Sequence, residues 1–173
     1  FLNEISEKCG FKLIHISTDC VFNGKKGMYK EYDHKSEINY YGLTKNLGEI
    51  INDTNLTIRT SIIGPELKKN PTGLFSWLIS QKGKCIMGYS KAIWSGLTTI
   101  ELAKFIVWSI DEKLTGIIHA TNGIRISKYE LIGIINEVFN LEITLVEDES
   151  LKVDKSLLNT RVKRYHFPSY YQM

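Results

Sequence analysis

The stretch FKLIHISTDCVFNG (Phe11–Gly24) contains a short apolar, β-branched run followed by a polar turn that includes a glycine. A run such as FKLIHIS is typical of a strand that is buried within a parallel sheet. Ser17, Thr18 and Asp19 stand where this strand is expected to end. In an open α/β sheet, ligands bind outside the carboxyl ends of the strands. The stretch therefore indicates both an α/β fold and the location of a candidate site.

Helical and extended patterns alternate on both sides of this strand. Before it, apolar residues recur at helical spacing and Gly10 is a stop signal. After it, a polar loop leads to Asn39, a plausible N-cap for a helix that reaches about Asp53, and the next strand is predicted at Leu56–Ile63. This order predicts right-handed βαβ units.

The second half of the chain continues the alternation. Ser127 with Glu130 three residues later forms a capping-box pattern, and Thr98 or Thr99 caps a helix with Glu101 in its first turn. The segments predicted here are helices at Thr72–Gln81, Thr98–Ile110 and Ser127–Phe139, and strands at Gly116–Thr121 and Glu142–Glu147. Trp77 and Trp108 each lie among apolar residues at helical spacing, in two different predicted helices, and are predicted to be core residues.

Composition and charge exclude several classes of protein. The net charge of +3 arises from 22 basic and 19 acidic residues spread over 173 positions, so no nucleic-acid or membrane patch stands out. Three distant cysteines favour neither zinc nor a disulfide framework and suit a reducing cytoplasm. His34 and His166 have no partners at metal-ligand spacing, and His15 and His119, which lie inside apolar runs, are predicted to be buried and neutral.

Tyr41 and Lys45 form the most informative chemical pair. They are four residues apart, so on a helix they share one face. A phenol has a pKa of about 10, and an ammonium about 4 Å away could lower it by up to about three units. Tyr41 could then act as a proton donor near neutral pH, while Thr18 provides a second hydrogen bond to the same carbonyl oxygen. The spacing alone is not specific, because one such pair is expected by chance.

The context of the pair resembles a known family. HISTDCVFNG, YGLTKNLGE and LTIRTSIIG, in this order, are similar to the extended short-chain dehydrogenase/reductases. Within them, the motifs resemble the dTDP-4-dehydrorhamnose reductase group of nucleotide-sugar reductases. The resemblance is specific over residues 1–64 and looser to about Phe139. It implies an α/β, Rossmann-type parallel sheet with a smaller carboxyl-terminal substrate-binding region.

The resemblance also implies roles for individual residues. Tyr41 matches the catalytic tyrosine, Lys45 the lysine that binds the nicotinamide ribose, and Thr18 the residue that holds the substrate carbonyl. The same resemblance places Asp19 and Trp94 at the substrate, and Ser17, Lys45, Thr60 and Ser61 at an NADP or NAD cofactor. Trp94 could equally be a core residue, and Arg59 belongs to the motif with a less certain role. The implied reaction is reduction of a nucleotide-linked 4-keto-6-deoxy sugar, towards a surface polysaccharide sugar.

One motif of the family is absent from the sequence. The glycine-rich turn that binds the dinucleotide pyrophosphate has no counterpart in the 173 residues. We therefore expect this chain to be the carboxyl-terminal part of a longer one and, alone, to bind cofactor poorly and be inactive. On this basis residues 1–63 would be the carboxyl-side half of a dinucleotide-binding domain and residues 64–173 mostly a substrate-binding region, with residues 98–121 returning to the sheet.

Related activities remain as alternatives. Cys20 stands where sugar-nucleotide dehydratases carry a glutamate, which disfavours dehydration. An NAD-dependent epimerase of the same superfamily, or a non-catalytic regulatory subunit similar to the methionine adenosyltransferase beta subunit, stays open. The expected partner is a nucleotide-sugar substrate, with neither nucleic acid nor membrane, and the protein could form a homodimer.

Overall fold

The computed structural model describes all 173 residues, and its central feature is a three-stranded parallel sheet. Strand β1 (Ile14–Thr18) pairs with β2 (Leu56–Thr60), which pairs in turn with β7 (Gly116–His119). The register places Thr18 beside Thr60 at the carboxyl ends. Every residue of β2 is buried, as expected for the central strand of a covered parallel sheet.

Five helices and three further small sheets accompany the central sheet. The helices are α1 (Leu2–Cys9), α2 (Tyr40–Leu47), α3 (Leu74–Ile79), α4 (Thr99–Asp111) and α5 (Lys128–Val138). The remaining strands are β3 (Ile62–Ile63), β4 (Cys85–Tyr89), β5 (Ala92–Trp94), β6 (Leu97–Thr98), β8 (Ile126–Ser127), β9 (Thr144–Asp148) and β10 (Val153–Asp154). Among the helices, none has the length and apolar character required to cross a membrane.

Two larger apolar cores hold most of these elements together, and a smaller cluster consists of Val21, Phe22, Tyr29 and Leu157. One lies between the central sheet and α4 and includes Ile58, Phe105 and Ile118. The other lies under α5 in the carboxyl-terminal region, where β4 pairs with β9 in parallel and β5 lies between β8 and β10. The molecule is therefore an α/β, Rossmann-type parallel sheet joined to a smaller carboxyl-terminal region, as the sequence predicted.

Several local predictions are confirmed. Helix α1 ends at Gly10, which adopts the left-handed conformation with φ 70° that glycine tolerates. Thr98 caps α4, and Ser127 with Glu130 forms the complete capping box of α5. These signals are local, because each depends on residues within one helical turn.

The predicted extent of α2 is wrong at its carboxyl end. The helix ends at Leu47 rather than near Asp53. The chain leaves the helix at Gly48 because the Glu49 side chain turns inward to Arg59, and the backbone of Ile50 then exchanges hydrogen bonds with the Thr57 hydroxyl. A buried ion pair with a distant strand thus overrides the helical pattern.

Two further predictions need correction. The strand expected at Leu56–Ile63 is divided at Ser61, because residues 62–63 leave the central sheet and pair with β6. Trp77 is 42% exposed rather than a core residue. Helix α3 presents Leu78 to the core and leaves Trp77, one position earlier, on the outer face.

Candidate active site

Helix α2 lies against β1 and runs antiparallel to it, which brings the predicted tyrosine and lysine to the end of that strand. Gly42 packs on the Cys20 carbonyl, Lys45 reaches Ile16, and Gly48 lies beside the His15 ring. Positions 42, 45 and 48 thus descend along β1 from its carboxyl end. Tyr41 is therefore located near the turn that follows Thr18.

Gly42 sets the distance between α2 and the turn. A Cβ atom at this position would overlap the Cys20 carbonyl oxygen, which belongs to backbone and cannot rotate away. Asn39 fixes the start of the helix, since its side chain accepts a hydrogen bond of 2.8 Å from the Gly42 amide. Gly42 lies within the YGLTKNLGE motif, but the sequence analysis assigned it no role. Its role in the close approach of α2 to the turn is visible only in the structure.

Tyr41 and Lys45 differ in how the structure engages them. The Tyr41 side chain is 56% exposed and its hydroxyl makes no hydrogen bond. The Lys45 ammonium donates to the Ile16 carbonyl at 2.8 Å, which holds it against β1. An ammonium has three N–H donors, so Lys45 keeps donor capacity for a ligand. No hydrogen bond joins the two side chains, although they stand one helical turn apart.

Thr18 caps the short 3-10 turn Asp19–Val21 at the end of β1. Its hydroxyl accepts from the Cys20 amide at 3.1 Å and donates to the Asp19 carboxyl at 3.1 Å. Burial raises the pKa of Asp19, and burial likewise raises the pKa of the neighbouring Cys20 thiol. The Thr18 proton is thus directed at Asp19, and a substrate carbonyl would have to compete for it.

Ser17 points into a buried charged cluster rather than towards the open side of the sheet. We call this the arginine cluster; it consists of Ser17, Glu31, Glu49, Arg59 and His119. Arg59 binds both oxygens of Glu49, at 2.7 and 2.8 Å, while Ser17 donates to the same carboxylate at 2.6 Å. Lys35 also reaches Glu49, at 3.2 Å. Burial favours the neutral acid, but hydrogen bonds from Arg59 and Ser17 outweigh it and lower the pKa of Glu49.

His119 completes the arginine cluster on the third strand. Its Nε2 lies 3.2 Å from a terminal nitrogen of Arg59 and its Nδ1 lies 3.1 Å from the Leu158 carbonyl. Arg59 can only donate, so Nε2 accepts and the proton resides on Nδ1. Burial, reinforced by the Arg59 charge, lowers the pKa of His119 to about 4. The prediction of a buried neutral histidine is confirmed for His119, whereas His15 is only half-buried.

The predicted residues at the end of β2 make internal hydrogen bonds. The Thr60 hydroxyl donates to the Ala120 carbonyl at 2.9 Å, and the Ser61 hydroxyl accepts from the indole nitrogen of Trp94 at 2.7 Å. Trp94 is only 4% exposed and belongs to the carboxyl-terminal core. A Cβ atom on Gly96 would overlap both the Ser61 carbonyl and the Trp94 ring, so a glycine is needed for this close approach. The structure therefore brings Ser61 and Trp94 together.

Lys128 is a residue near the site that the sequence prediction missed. It begins α5, and its ammonium lies 5.1 Å from the centroid of the Trp94 ring. The Asp19 and Cys20 groups are close enough to act on its charge. The only sequence signal was the position of Lys128 directly after the capping Ser127, which does not by itself indicate a contact with residue 19.

Two other surfaces differ from this site in chemistry. A cavity of about 240 Å³ lies between α4, α5 and the carboxyl terminus, and no charged side chain lines it. Trp94 is the one predicted site residue on its wall. A more open cleft of about 700 Å³ is basic and is lined by Lys25, Lys26, Lys91, Arg125 and Lys152 with Asp154. Neither includes Thr18, Tyr41 or Lys45.

Comparison with known proteins identifies the family. The model of the RmlD substrate binding domain matches residues 1–161. No curated protein sequence matches the chain. The crystal structure of a hypothetical dTDP-4-dehydrorhamnose reductase from Sulfolobus tokodaii is 32% identical, with a TM-score of 0.79. The match covers 98% of this chain and 65% of that one.

Two more distant structures share the fold. The dTDP-4-dehydrorhamnose reductase from Bacillus anthracis, solved with NADP, is 24% identical with a TM-score of 0.81, over 96% of this chain and 65% of that one. A UDP-N-acetylglucosamine 4-epimerase from Methanobrevibacter ruminantium, in complex with UDP-N-acetylmuramic acid, is 20% identical with a TM-score of 0.71, over 91% and 56%. The chain thus spans 65% of the length of each reductase. Since the family model covers most of the sequence, the chain belongs to the RmlD substrate binding domain family.

Proposed function

We propose that this protein contributes the catalytic and substrate-binding residues of an NAD(P)H-dependent reductase that acts on a nucleotide-linked 4-keto-6-deoxy sugar. The observation that carries the proposal is the placement of Tyr41. Helix α2 is held on β1 by Gly42 and Lys45, so that an exposed phenol with no hydrogen-bond partner stands at the strand end that carries Thr18.

Each of these residues has a distinct part in the proposed reaction. A bound nicotinamide would supply the hydride that reduces the carbonyl carbon. Tyr41 donates its phenolic proton to the carbonyl oxygen, where negative charge develops. Thr18 donates a second hydrogen bond to that oxygen after its proton turns away from Asp19. The ammonium of Lys45 favours the phenolate that Tyr41 leaves behind.

Lys45, next to Tyr41 on α2, could bind a nicotinamide ribose. Two other residues predicted to bind the cofactor, Ser17 and Thr60, instead make hydrogen bonds within the protein. Lys45 uses one donor on Ile16, and its remaining donors match ribose hydroxyl groups. Ser17 and Thr60 already donate to Glu49 and Ala120, so we propose that they support the site indirectly.

The pairing of strands in the central sheet suggests which parts of the chain bind the cofactor and which bind the substrate. We propose that residues 1–63 and 98–121 serve the cofactor and the chemistry, because β7 pairs with β2 in the central sheet. The other residues of 64–173 would bind the sugar nucleotide. Cys20 argues against dehydration, since burial raises the pKa of its thiol and keeps it protonated, whereas proton abstraction needs a base.

The test is consumption of NADPH by the complete gene product in the presence of dTDP- or UDP-4-keto-6-deoxyhexose. We expect one hydroxyl-bearing product for each NADPH consumed. Retention of bound NAD without net loss of NADPH would instead select an epimerase. Absence of turnover on any keto sugar, together with co-purification of a partner enzyme, would select a regulatory subunit.

A further inference from the structure

Lys128 occupies a position that is unfavourable for a lysine. It is the first residue of α5, where the helix dipole disfavours positive charge. The ammonium lies over the Trp94 ring at 5.1 Å from the centroid, and burial lowers the pKa of Lys128. The helix dipole and burial both act against the charged form, while the Trp94 ring favours it only through a cation–π contact.

The Lys128 ammonium has no hydrogen-bond acceptor within the chain. It forms neither a salt bridge nor a hydrogen bond, so its three donors are unused. The acid that acts on it is Asp19, whose carboxyl is bonded to the Thr18 hydroxyl. Lys155, which also acts on Asp19, is neutralised by Glu37 at 2.9 Å. Lys128 is therefore a cation near Asp19 that has neither an ion-pair nor a hydrogen-bond partner.

We propose that Lys128 is a substrate-binding residue that donates hydrogen bonds to the diphosphate of the sugar nucleotide. This inference rests on the proposed function, since it concerns the substrate of the same site. A diphosphate provides several anionic oxygen atoms, which match the point charge and the three donors of an ammonium. A neutral sugar hydroxyl would leave the positive charge uncompensated.

The location of Lys128 implies an orientation for the bound sugar nucleotide. Thr18 marks the proposed position of the reacting carbonyl, and the buried Trp94 ring lies between Ser61 and Lys128. A substrate would place its sugar at Thr18 and its diphosphate at Lys128. The carboxyl-terminal region would then anchor the nucleotide, while β1 and α2 perform the chemistry.

The experiment measures binding of dTDP and UDP, which carry the diphosphate but no reducible carbonyl, to the complete gene product by calorimetry. We expect Lys128→Met to weaken binding of the preferred nucleotide by about 10- to 100-fold and Lys128→Arg to keep it within about fivefold. Binding of thymidine or uridine, which lack phosphate, should not change. Lys82→Met, which removes an exposed lysine without a partner, is the matched control and should bind like the unsubstituted protein.

The outcomes are distinguishable. Equal nucleotide affinity of Lys128→Met and the unsubstituted protein, both with intact thermal unfolding, would overturn the inference, as would lack of binding of both nucleotides. Unchanged nucleotide affinity with a raised KM for the keto sugar would place the ammonium at the sugar and overturn the diphosphate assignment. Nucleotide binding that depends on Lys128, without any reduction of keto sugars, would refute the reductase proposal and leave this inference standing.

Discussion

Two clusters of polar side chains lie on either side of the end of β1. They differ in how many of their polar atoms have a hydrogen-bond partner within the chain. In the arginine cluster, Arg59 is 1% exposed and bonds to Glu49, the Glu31 carbonyl and His119. On the other side, which we call the reactive face (Thr18, Asp19, Tyr41, Lys45 and Lys128), the Tyr41 hydroxyl and the Lys128 ammonium have no acceptor or donor partner. The arginine cluster is complete without a ligand, whereas the reactive face is not.

This difference separates structural from chemical roles among similar residue types. A buried charge needs a partner, so removing Glu49 from Arg59 is expected to destabilise the fold. A partly buried group left without a partner, here the Lys128 ammonium, imposes a cost on the fold that a ligand could offset. We expect substitutions in the arginine cluster to change stability most, and substitutions on the reactive face to change stability least. The predictions below are ordered by the expected change in the free energy of unfolding.

The largest effect is expected for Glu49→Gln. The substitution leaves the Arg59 charge buried without its carboxylate, which typically costs about 3–5 kcal/mol. Urea unfolding followed by circular dichroism measures it. The matched control is Glu149→Gln, which breaks the exposed Lys91–Glu149 pair and should cost less than about 1 kcal/mol. Similar losses for both variants would show that burial does not distinguish the two pairs.

Gly42→Ala should have the next largest effect. The added Cβ meets the Cys20 carbonyl, so α2 must move away from β1, at a cost of about 3 kcal/mol. The control is Gly133→Ala in α5, where nothing lies within 4 Å and alanine should stabilise the helix by up to about 1 kcal/mol. Thermal unfolding of the two variants compares them directly. A stable, fully active Gly42→Ala protein would contradict the role assigned to this close approach.

His119 should make stability depend on pH. Its pKa in the folded protein is about 4, below the ordinary value of 6.5, so between these values the unfolded chain binds a proton that the folded chain does not. Stability should therefore be fully present above pH 6.5 and decrease, by an amount on the order of 2 kcal/mol, as the pH falls to 4.

The control for His119 is His119→Gln, since glutamine can accept from Arg59 and donate to Leu158 but does not titrate. Its urea unfolding curves should lose most of the dependence between pH 6.5 and 4. An unchanged dependence in this variant would assign the titration to other groups.

Lys45→Met should have a smaller effect on stability. It removes one hydrogen bond to the Ile16 carbonyl from a half-buried side chain, which is worth about 1 kcal/mol. If Lys45 has the catalytic role proposed above, turnover on a keto sugar should fall much further, by about 100-fold. Parallel urea unfolding and NADPH assays measure both quantities. Equal losses in the two would assign Lys45 a structural role only.

Local signals explain most of what the sequence predicted correctly about the fold. The stop at Gly10 and the capping box of Ser127 and Glu130 depend on neighbouring residues, and the apolar run of β1 reflects its burial on both faces. The order of helices and strands followed from such patterns. Parallel pairing of β1, β2 and β7 could then be inferred from the topology that this order permits.

Long-range contacts explain what the sequence did not predict. Helix α2 ends early because Glu49 pairs with Arg59, ten positions further along the chain, and no helical pattern records that pair. The contact of Lys128 with Trp94 joins the start of α5 to β5, which lies 34 positions earlier in the chain. Of the candidate site, the motif around Tyr41 could be predicted, whereas the satisfied state of Ser17 and Thr60 required the three-dimensional structure.

The most direct test of the proposed chemistry compares Tyr41→Phe with Tyr40→Phe in the complete gene product. Both tyrosines are exposed on the first turn of α2, so both variants should unfold within about 0.5 kcal/mol of the unsubstituted protein. Oxidation of NADPH with the 4-keto sugar nucleotide should fall by a factor of about 100 to 10,000 in Tyr41→Phe and stay unchanged in Tyr40→Phe. Unchanged turnover in a folded Tyr41→Phe protein would contradict the assignment of Tyr41 as the proton donor.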